Sequence, residues 1–318
     1  MSVTRTTLLS GPAAATFGGH TYFARDGILV TPMLELDAVD SDAQGVLDAT
    51  VTGEPVTIKF TPSAPFADLL ALYPYTMGTP GMSLFGSADM PLVLIAANGV
   101  RLTFSAVAIT QMPDLTLSAS GTVAGAMTFL ALGARSLPIT AANRVVTIDT
   151  AEFPSLPTTP PQLADDFEIT WGGAPWVNLR ARDGVKVHFT MKTSPVMSAA
   201  NALLDLTLDS LAVEARFAPA TPGGPAEADV FEALQAQGAS AVGSPPGRLL
   251  SAGARTLDVA GEHLWLRLPL AQLTQGPLAF DAVHPRVGEL VFTAGRALLG
   301  AEAEPEVLVS LSEGEPAE

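Results

Sequence analysis

Apolar and polar residues alternate over long stretches of the chain. The segments 22–36 and 45–60 alternate with a period of two, which predicts half-buried antiparallel strands. Two further apolar runs, 92–95 and 100–109, flank Asn98-Gly99, a pair of residues that favours a tight hairpin turn. The pattern predicts a mainly β protein.

Two short segments, 66–73 and 229–237, have a helical period instead. The positions expected to share one helix face are Phe66, Leu69, Leu70 and Tyr73 in the first segment and Val230, Phe231 and Leu234 in the second. A loop rich in Gly and Pro follows each segment, at 74–91 and at 238–253. The order of elements predicts a β-sandwich or barrel with one flanking helix and long loops, built twice.

The same landmarks recur at a constant separation. Ala-Arg-Asp-Gly occurs at 24–27 and again at 181–184, and Phe-x-Pro occurs at 60–62 and again at 217–219. In both cases the separation is 157 residues, as 181 minus 24 and 217 minus 60 show. Such self-similarity indicates an internal duplication.

The repeat divides the sequence into four parts. Residues 1–150 are predicted to form the first β domain, closed by a strand near 144–148, and residues 165–300 the second. The connector 151–164 contains four prolines and is expected to be stiff and extended. Residues 301–318 carry six glutamates and are expected to form a solvated, mobile tail.

Composition limits the functions that the chain can have. It has 16 basic and 32 acidic residues, a net charge of −16, which argues against a grip on nucleic acid because phosphate binding needs Lys and Arg. No cysteine is present, so disulfides, thiolate metal sites and a cysteine nucleophile are excluded. No apolar run reaches the roughly 18 residues that a membrane helix needs, so no membrane anchor is expected.

Candidate catalytic and metal-binding residues each have a simpler interpretation. Asp26 and Asp183 precede glycines in matched Arg-Asp-Gly segments and are interpreted as residues of hairpin turns. The acidic residues at 35–42 do not have calcium-loop spacing and are interpreted as a solvated loop; they are Glu35, Asp37, Asp40 and Asp42. Ser83 and Ser87 lack a nucleophile elbow, and the four histidines show no zinc-binding spacing.

No catalytic residue, cofactor or metal site is therefore predicted, and the chain is not expected to be an enzyme. Both halves share turns and strand patterns rather than chemistry. A duplicated scaffold of this kind favours a protein that presents surfaces to its neighbours.

Four segments of the first half resemble the tail-tube proteins of long-tailed, siphovirus-like bacteriophages. They are Phe60-Thr61-Pro62, Tyr73-Pro74-Tyr75, Ser83-Leu84-Phe85-Gly86 and Met112-Pro113-Asp114-Leu115-Thr116-Leu117-Ser118-Ala119. The resemblance covers about residues 22–132. The second half departs from it, with Gly-Pro-Leu-Ala-Phe at 276–280, so its membership depends on the repeat.

The resemblance implies a virion protein that is assembled in the host cytoplasm and forms stacked rings around a hollow lumen. Most tubes of that family use hexameric rings of single-domain subunits, and some use pseudo-hexameric rings of three two-domain subunits, which fits a duplicated chain. The implied partners are further copies of the chain and the tape-measure, tail-terminator and distal tail proteins. DNA would pass through the lumen without specific binding, which fits the acidic charge.

The first long loop is the candidate surface for contacts between subunits or rings. Its candidate residues are Tyr73, Tyr75, Met77, Met82, Leu84 and Phe85, because loops rich in aromatic residues and Met are often interfaces. Packing of the same residues into a local core is the alternative.

Two other functions stay open. One is a baseplate hub, distal tail or tail-completion protein, which shares the fold. The other is a carbohydrate- or receptor-binding β-sandwich, which would need exposed aromatic residues; Trp171, Trp176 and Trp265 are the only tryptophans.

Overall fold

The chain is mainly β, with two large antiparallel sheets, as the sequence pattern predicts. The computed structural model describes residues 11–41, 45–76, 79–85, 90–118, 121–132, 145–155, 167–172, 176–177, 179–197, 203–220, 229–234, 254–261, 264–280, 285–295 and 308–312. The first half denotes the described residues up to 155, and the second half those from 167 onwards.

Fourteen elements lie in the first half. They are β1 (Ala13–Phe17), β2 (His20–Pro32), β3 (Glu35–Ser41), β4 (Gly45–Gly53), β5 (Val56–Ser63), α1 (Phe66–Leu70), β6 (Met82–Ser83), β7 (Leu92–Ala96), β8 (Val100–Phe104), β9 (Val107–Gln111), β10 (Leu115–Ser118), β11 (Gly121–Ala124), β12 (Met127–Ala131) and β13 (Val146–Thr150).

The second half continues with β14 (Glu168–Trp171), β15 (Val185–Met197), β16 (Leu203–Phe217), β17 (Arg255–Gly261), β18 (Leu264–Gln275), β19 (Leu278–Phe280), β20 (Pro285–Val287), β21 (Leu290–Ala294) and β22 (Ser310–Ser312). A short helix covers 229–234.

The first sheet has the strand order β13-β8-β7-β1-β2-β5-β12-β9. β8 and β9 lie near its two ends, yet only residues 105–106 separate them along the chain. The sheet must therefore curl until its ends approach each other, which is typical of a sandwich or barrel.

The second sheet has the order β11-β10-β15-β16-β21-β18-β17-β14, with β22 added to β18 and β6 to β16. Its long strand β18 pairs with β17 through its first part and with β21 through its last part. β10, β11 and β6 come from the first half, so this sheet joins the two halves.

Strand pairs in the two halves share one register. Leu29 lies opposite Lys59, and Lys186 lies opposite Arg216; 186 minus 29 and 216 minus 59 both give 157. The same separation relates β3–β4 to the outer parts of β15–β16. A longer separation of 163–165 residues relates β7–β8 to β17–β18 and β12–β9 to β21–β18. The landmarks that repeat in sequence thus occupy matching positions in the two sheets.

Each half has a cluster of three aromatic rings in its core. The rings are Phe17, Phe60 and Phe129 in the first half and Trp171, Phe217 and Phe292 in the second. The edge-to-face pairs have centroids 4.9 and 5.2 Å apart, and the stacked pairs 5.9 and 5.6 Å apart. All four distances are in the favourable range for aromatic pairs, so these three rings pack alike in the two cores. The second core adds a fourth ring, Trp176, whose centroid lies 5.1 Å from that of Trp171.

The second predicted helix buries the expected face except at Phe231. Val230 is buried and Leu234 packs half-buried against the core, as expected, whereas Phe231 is 57% exposed. Residues three apart share a helix face, but adjacent residues point about 100° apart, so burying Val230 turns Phe231 outwards. In the first half, Phe66 and Leu69 of α1 are buried as predicted.

The Arg-Asp-Gly segment of the first half is not a hairpin turn. Ala24 lies opposite Pro62 and Ile28 opposite Phe60, so residues 25–27 form a bulge within β2. Gly27 has a φ of 83°, which a glycine adopts without steric strain.

Two segments expected to be solvated contain strands. Residues 35–41, which hold three of the four clustered acids, form β3 and pair with β4; Asp42 lies outside the described residues. Within the predicted tail, β22 pairs with β18, and Leu308 and Val309 are buried. In both places apolar residues lie between the acids and favour strand pairing. The density of acidic residues alone therefore does not predict a solvated loop or tail. Of the predicted connector, only 151–155 is described.

Candidate assembly interface

The two halves meet edge to edge where β10 pairs with β15. Leu115 lies opposite Val187, and Leu117 lies opposite Val185. All four side chains are fully buried. Backbone hydrogen bonds and apolar burial therefore both hold the first half against the second.

A carboxylate continues this contact beyond the end of β10. Asp114 accepts a hydrogen bond of 3.2 Å from the backbone N–H of Phe189, and its other oxygen lies 3.0 Å from Nδ1 of His188. Asp114 thereby satisfies a donor of β15 that β10 does not reach. A hydrogen bond of this type contributes about 1.5–3 kcal/mol when one partner is charged, less where water reaches it.

Gly184 permits the close approach of the strands. A Cβ atom on this glycine would lie 2.1 Å from the carbonyl oxygen of Leu117, so no other residue fits without moving the backbone. Its φ is 85°. The corresponding residue of the first half, Gly27, has nearly the same φ, but a Cβ there would meet nothing within 4 Å.

The loop singled out from the sequence packs inside the chain. Tyr73, Tyr75, Leu84 and Phe85 are buried and Met82 is half-buried; Met77 lies outside the described residues. These positions favour the alternative of core packing for the four buried side chains, because a side chain enclosed by its own chain is not available to a neighbour.

The loop forms a second junction between the halves. The N–H groups of Gly81 and Leu84 donate to the carbonyls of Leu208 and Leu206 on β16, at 2.7 and 2.8 Å. Asp205 accepts from the hydroxyl of Ser83 at 2.6 Å and from the N–H of Phe85 at 3.4 Å. The loop thus lies along β16 as a short added strand.

Burial of the loop tyrosines changes their acid–base behaviour. The hydroxyl of Tyr75 donates to the carbonyl of Leu84 at 3.0 Å, and burial, with a smaller contribution from Asp205, raises the pKa of Tyr75 to about 12. Burial raises the pKa of Tyr73 further, with Asp114 adding to the shift. The ring of Tyr73 packs 5.0 Å from that of Phe189. Both phenols are held neutral.

The described residues contain no group of three or more His, Asp or Glu side chains placed to hold a metal ion. No helix in the part of the chain that the structure describes is long and apolar enough to cross a membrane. The sequence matches no protein-family model and has no significant match to a curated protein.

The pairing of β10 with β15 was not foreseen from the sequence. In the sequence, the segment around Leu115 stands out only for the resemblance, and Gly184 only as part of a predicted turn.

Proposed function

We propose that the chain is a structural protein that assembles into rings and stacks them into a hollow tube, the tail tube of a long-tailed bacteriophage. The observation that supports this most is the edge-to-edge junction of two halves whose strand registers match. Two similar units joined by unlike surfaces form a heterologous contact, which generates rings or filaments when it repeats.

We take the two halves as duplicated domains. The shared separation of 157 residues, the matching registers and the two three-ring clusters support this. A ring of three chains would then contain six similar units, the pseudo-hexameric plan that the resemblance implies. The partners would be further copies of the chain and the proteins that end or fill the tube.

The net charge of −16 supports a conduit for DNA rather than a DNA-binding protein, because a like-charged wall repels phosphates. The carbohydrate-binding alternative loses support, since Trp171, Trp176 and Trp265 are all buried. A hub or distal tail protein remains the competing role within the same particle, and it would stop at a single ring.

Negative-stain electron microscopy of the concentrated, purified chain tests the proposal. Stacked hollow tubes with a uniform lumen would support a tail tube, and axial class averages would count the chains in each ring. Discrete rings that never stack would favour a hub or distal tail protein. Monomers at every concentration and salt would overturn the proposal.

A further inference from the structure

We propose that β19 of one chain pairs antiparallel with the exposed edge of β2 in the next chain. This inference rests on the proposed function, because it names the contact through which chains would join. It repeats between chains the junction that β10 and β15 make within one chain.

The donor strand has the same local structure in both halves. β10 pairs with β11, with Leu115 opposite Ala124, and β19 pairs with β20, with Leu278 opposite Val287. Both residues of the second pair lie 163 positions later. β10 uses its other edge to bind β15, whereas β19 has no partner other than β20 among the described strands.

The acceptor edge is likewise repeated. Residues 28–30 of β2 correspond to 185–187 of β15, the stretch that β10 covers. β1 reaches β2 only at residues 20–23. Ile28, Leu29 and Val30 therefore pair with β5 on one side and with no described strand on the other.

Burial differs between the covered and the uncovered edge. Val185 and Val187 are fully buried, but their counterparts Ile28 and Val30 are only half-buried. Leu29 between them is exposed, like its counterpart Lys186, because both point to the opposite face of the sheet. An unpaired apolar edge is a hazard that proteins normally cover. In a second copy of the chain, β19 would cover this edge, because β19 corresponds to β10, which covers the equivalent edge of β15.

The flanking residues fit this contact as well. Gly27 has open space where Gly184 receives the backbone of Leu117, so an incoming strand finds room. The positions of Asp114 and Phe189 correspond to Pro277 and Pro32. Pro32 has no N–H to donate, so the missing carboxylate leaves no donor unsatisfied.

The offsets fix the register of the proposed pair. Leu278 would lie opposite Val30, Ala279 opposite Leu29, and Phe280 opposite Ile28. The contact is heterologous, since each chain offers β19 at one end and β2 at the other, so it closes into a ring or continues as a filament.

Disulfide trapping tests this register without background, because the chain has no cysteine. The variant Leu29→Cys/Ala279→Cys should form intermolecular disulfides on mild oxidation, seen as a ladder ending in a closed species on a non-reducing gel. The matched positive control is Thr116→Cys/Lys186→Cys. These residues lie opposite each other within one chain, so that variant should oxidise without gaining mass.

A second variant pair separates register from mere proximity. Thr31→Cys/Ala279→Cys places the thiols diagonally, about 7–8 Å apart, beyond the reach of a disulfide. It should form little ladder under the same conditions. Equal ladders in the diagonal and opposite variants would overturn the proposed register.

An independent variant addresses the open space at Gly27. Gly27→Ala places a methyl group where the incoming backbone must lie, and should raise the concentration needed for assembly at least about tenfold. Gly19→Ala is the matched control, because Gly19 has a similar φ of 86°, open surroundings and a position in the turn before β2. It should assemble like the unmodified chain.

The outcomes distinguish the two proposals. Both proposals are supported if the unmodified chain assembles, Leu29→Cys/Ala279→Cys forms a ladder, and assembly is lost in Gly27→Ala but kept in Gly19→Ala. The contact is overturned, and the ring-forming function still stands, if the unmodified chain assembles but Leu29→Cys/Ala279→Cys forms no ladder. The same holds if the unmodified chain and Gly27→Ala assemble equally well. A chain that remains monomeric throughout overturns the function and the contact together.

Discussion

Replacing Gly184 with Ala should detach β10 from β15 within a single chain. The new Cβ would lie 2.1 Å from the carbonyl oxygen of Leu117, far inside van der Waals contact, and the obstacle is backbone that cannot rotate away. β10 must therefore leave β15. Gly27→Ala is the matched variant, because its φ differs by only 2° (85° against 83°) and its Cβ meets nothing within 4 Å.

The two variants share one cost and differ in another. A non-glycine residue in the left-handed region costs about 1–2 kcal/mol, and this applies to both. Gly184→Ala also loses backbone hydrogen bonds of the β10–β15 ladder, each contributing about 0.5–1.5 kcal/mol net, and uncovers part of Val185 and Val187. We expect it to be about 2–4 kcal/mol less stable than Gly27→Ala.

Urea unfolding followed by far-ultraviolet circular dichroism measures this difference, at protein concentrations low enough to keep the chains apart. Circular dichroism is preferred to tryptophan fluorescence, because Trp171, Trp176 and Trp265 all lie in the second half. Equal unfolding midpoints for the two variants would refute the close approach of β10 to Gly184.

Three further predictions concern the core, the loop and the tyrosines. Phe129→Ala and Phe292→Ala should each cost about 3–5 kcal/mol, measured by urea unfolding; a large effect at only one site would contradict equivalent cores. Asp205→Ala should cost about 1–3 kcal/mol and speed limited proteolysis of the loop around Ser83, whereas unchanged cleavage would mean that Asp205 does not hold it. Burial raises the pKa of all three tyrosines, and Tyr75 titrates at about 12 in the folded chain against about 10 when unfolded. The folded pKa is the higher one, so this contribution to stability is complete below pH 10 and is lost as pH rises towards 12. Tyrosinate absorbance should therefore appear only with alkaline unfolding, and titration near pH 10 in folded protein would contradict the burial.

Local patterns in the sequence predicted much of the fold. Period-two alternation predicted strands at 22–36 and 45–60, where β2, β4 and β5 lie. Apolar runs on either side of the Asn98-Gly99 turn predicted β7 and β8, which this turn joins as expected. The separation of 157 residues, read from a few landmarks, is also the separation of paired residues in the two sheets. Such features depend on side-chain direction and turn chemistry, which are fixed by neighbours along the chain.

The partner of each strand edge was decided only by the tertiary structure. Alternation shows which face of a strand is buried, but the hydrogen-bonding edge has the same backbone groups in every sequence. Leu115 and Leu278 lie in equivalent strands, yet only the first is fully buried, because β15 covers one and no described strand covers the other. The loop residues Tyr73 and Phe85 followed the same rule: their composition suggested an interface, and the path of the chain over β16 placed them in a core. Contacts between residues far apart in sequence are not encoded in any local pattern, so the junction between the halves could be found only once both sheets were in place.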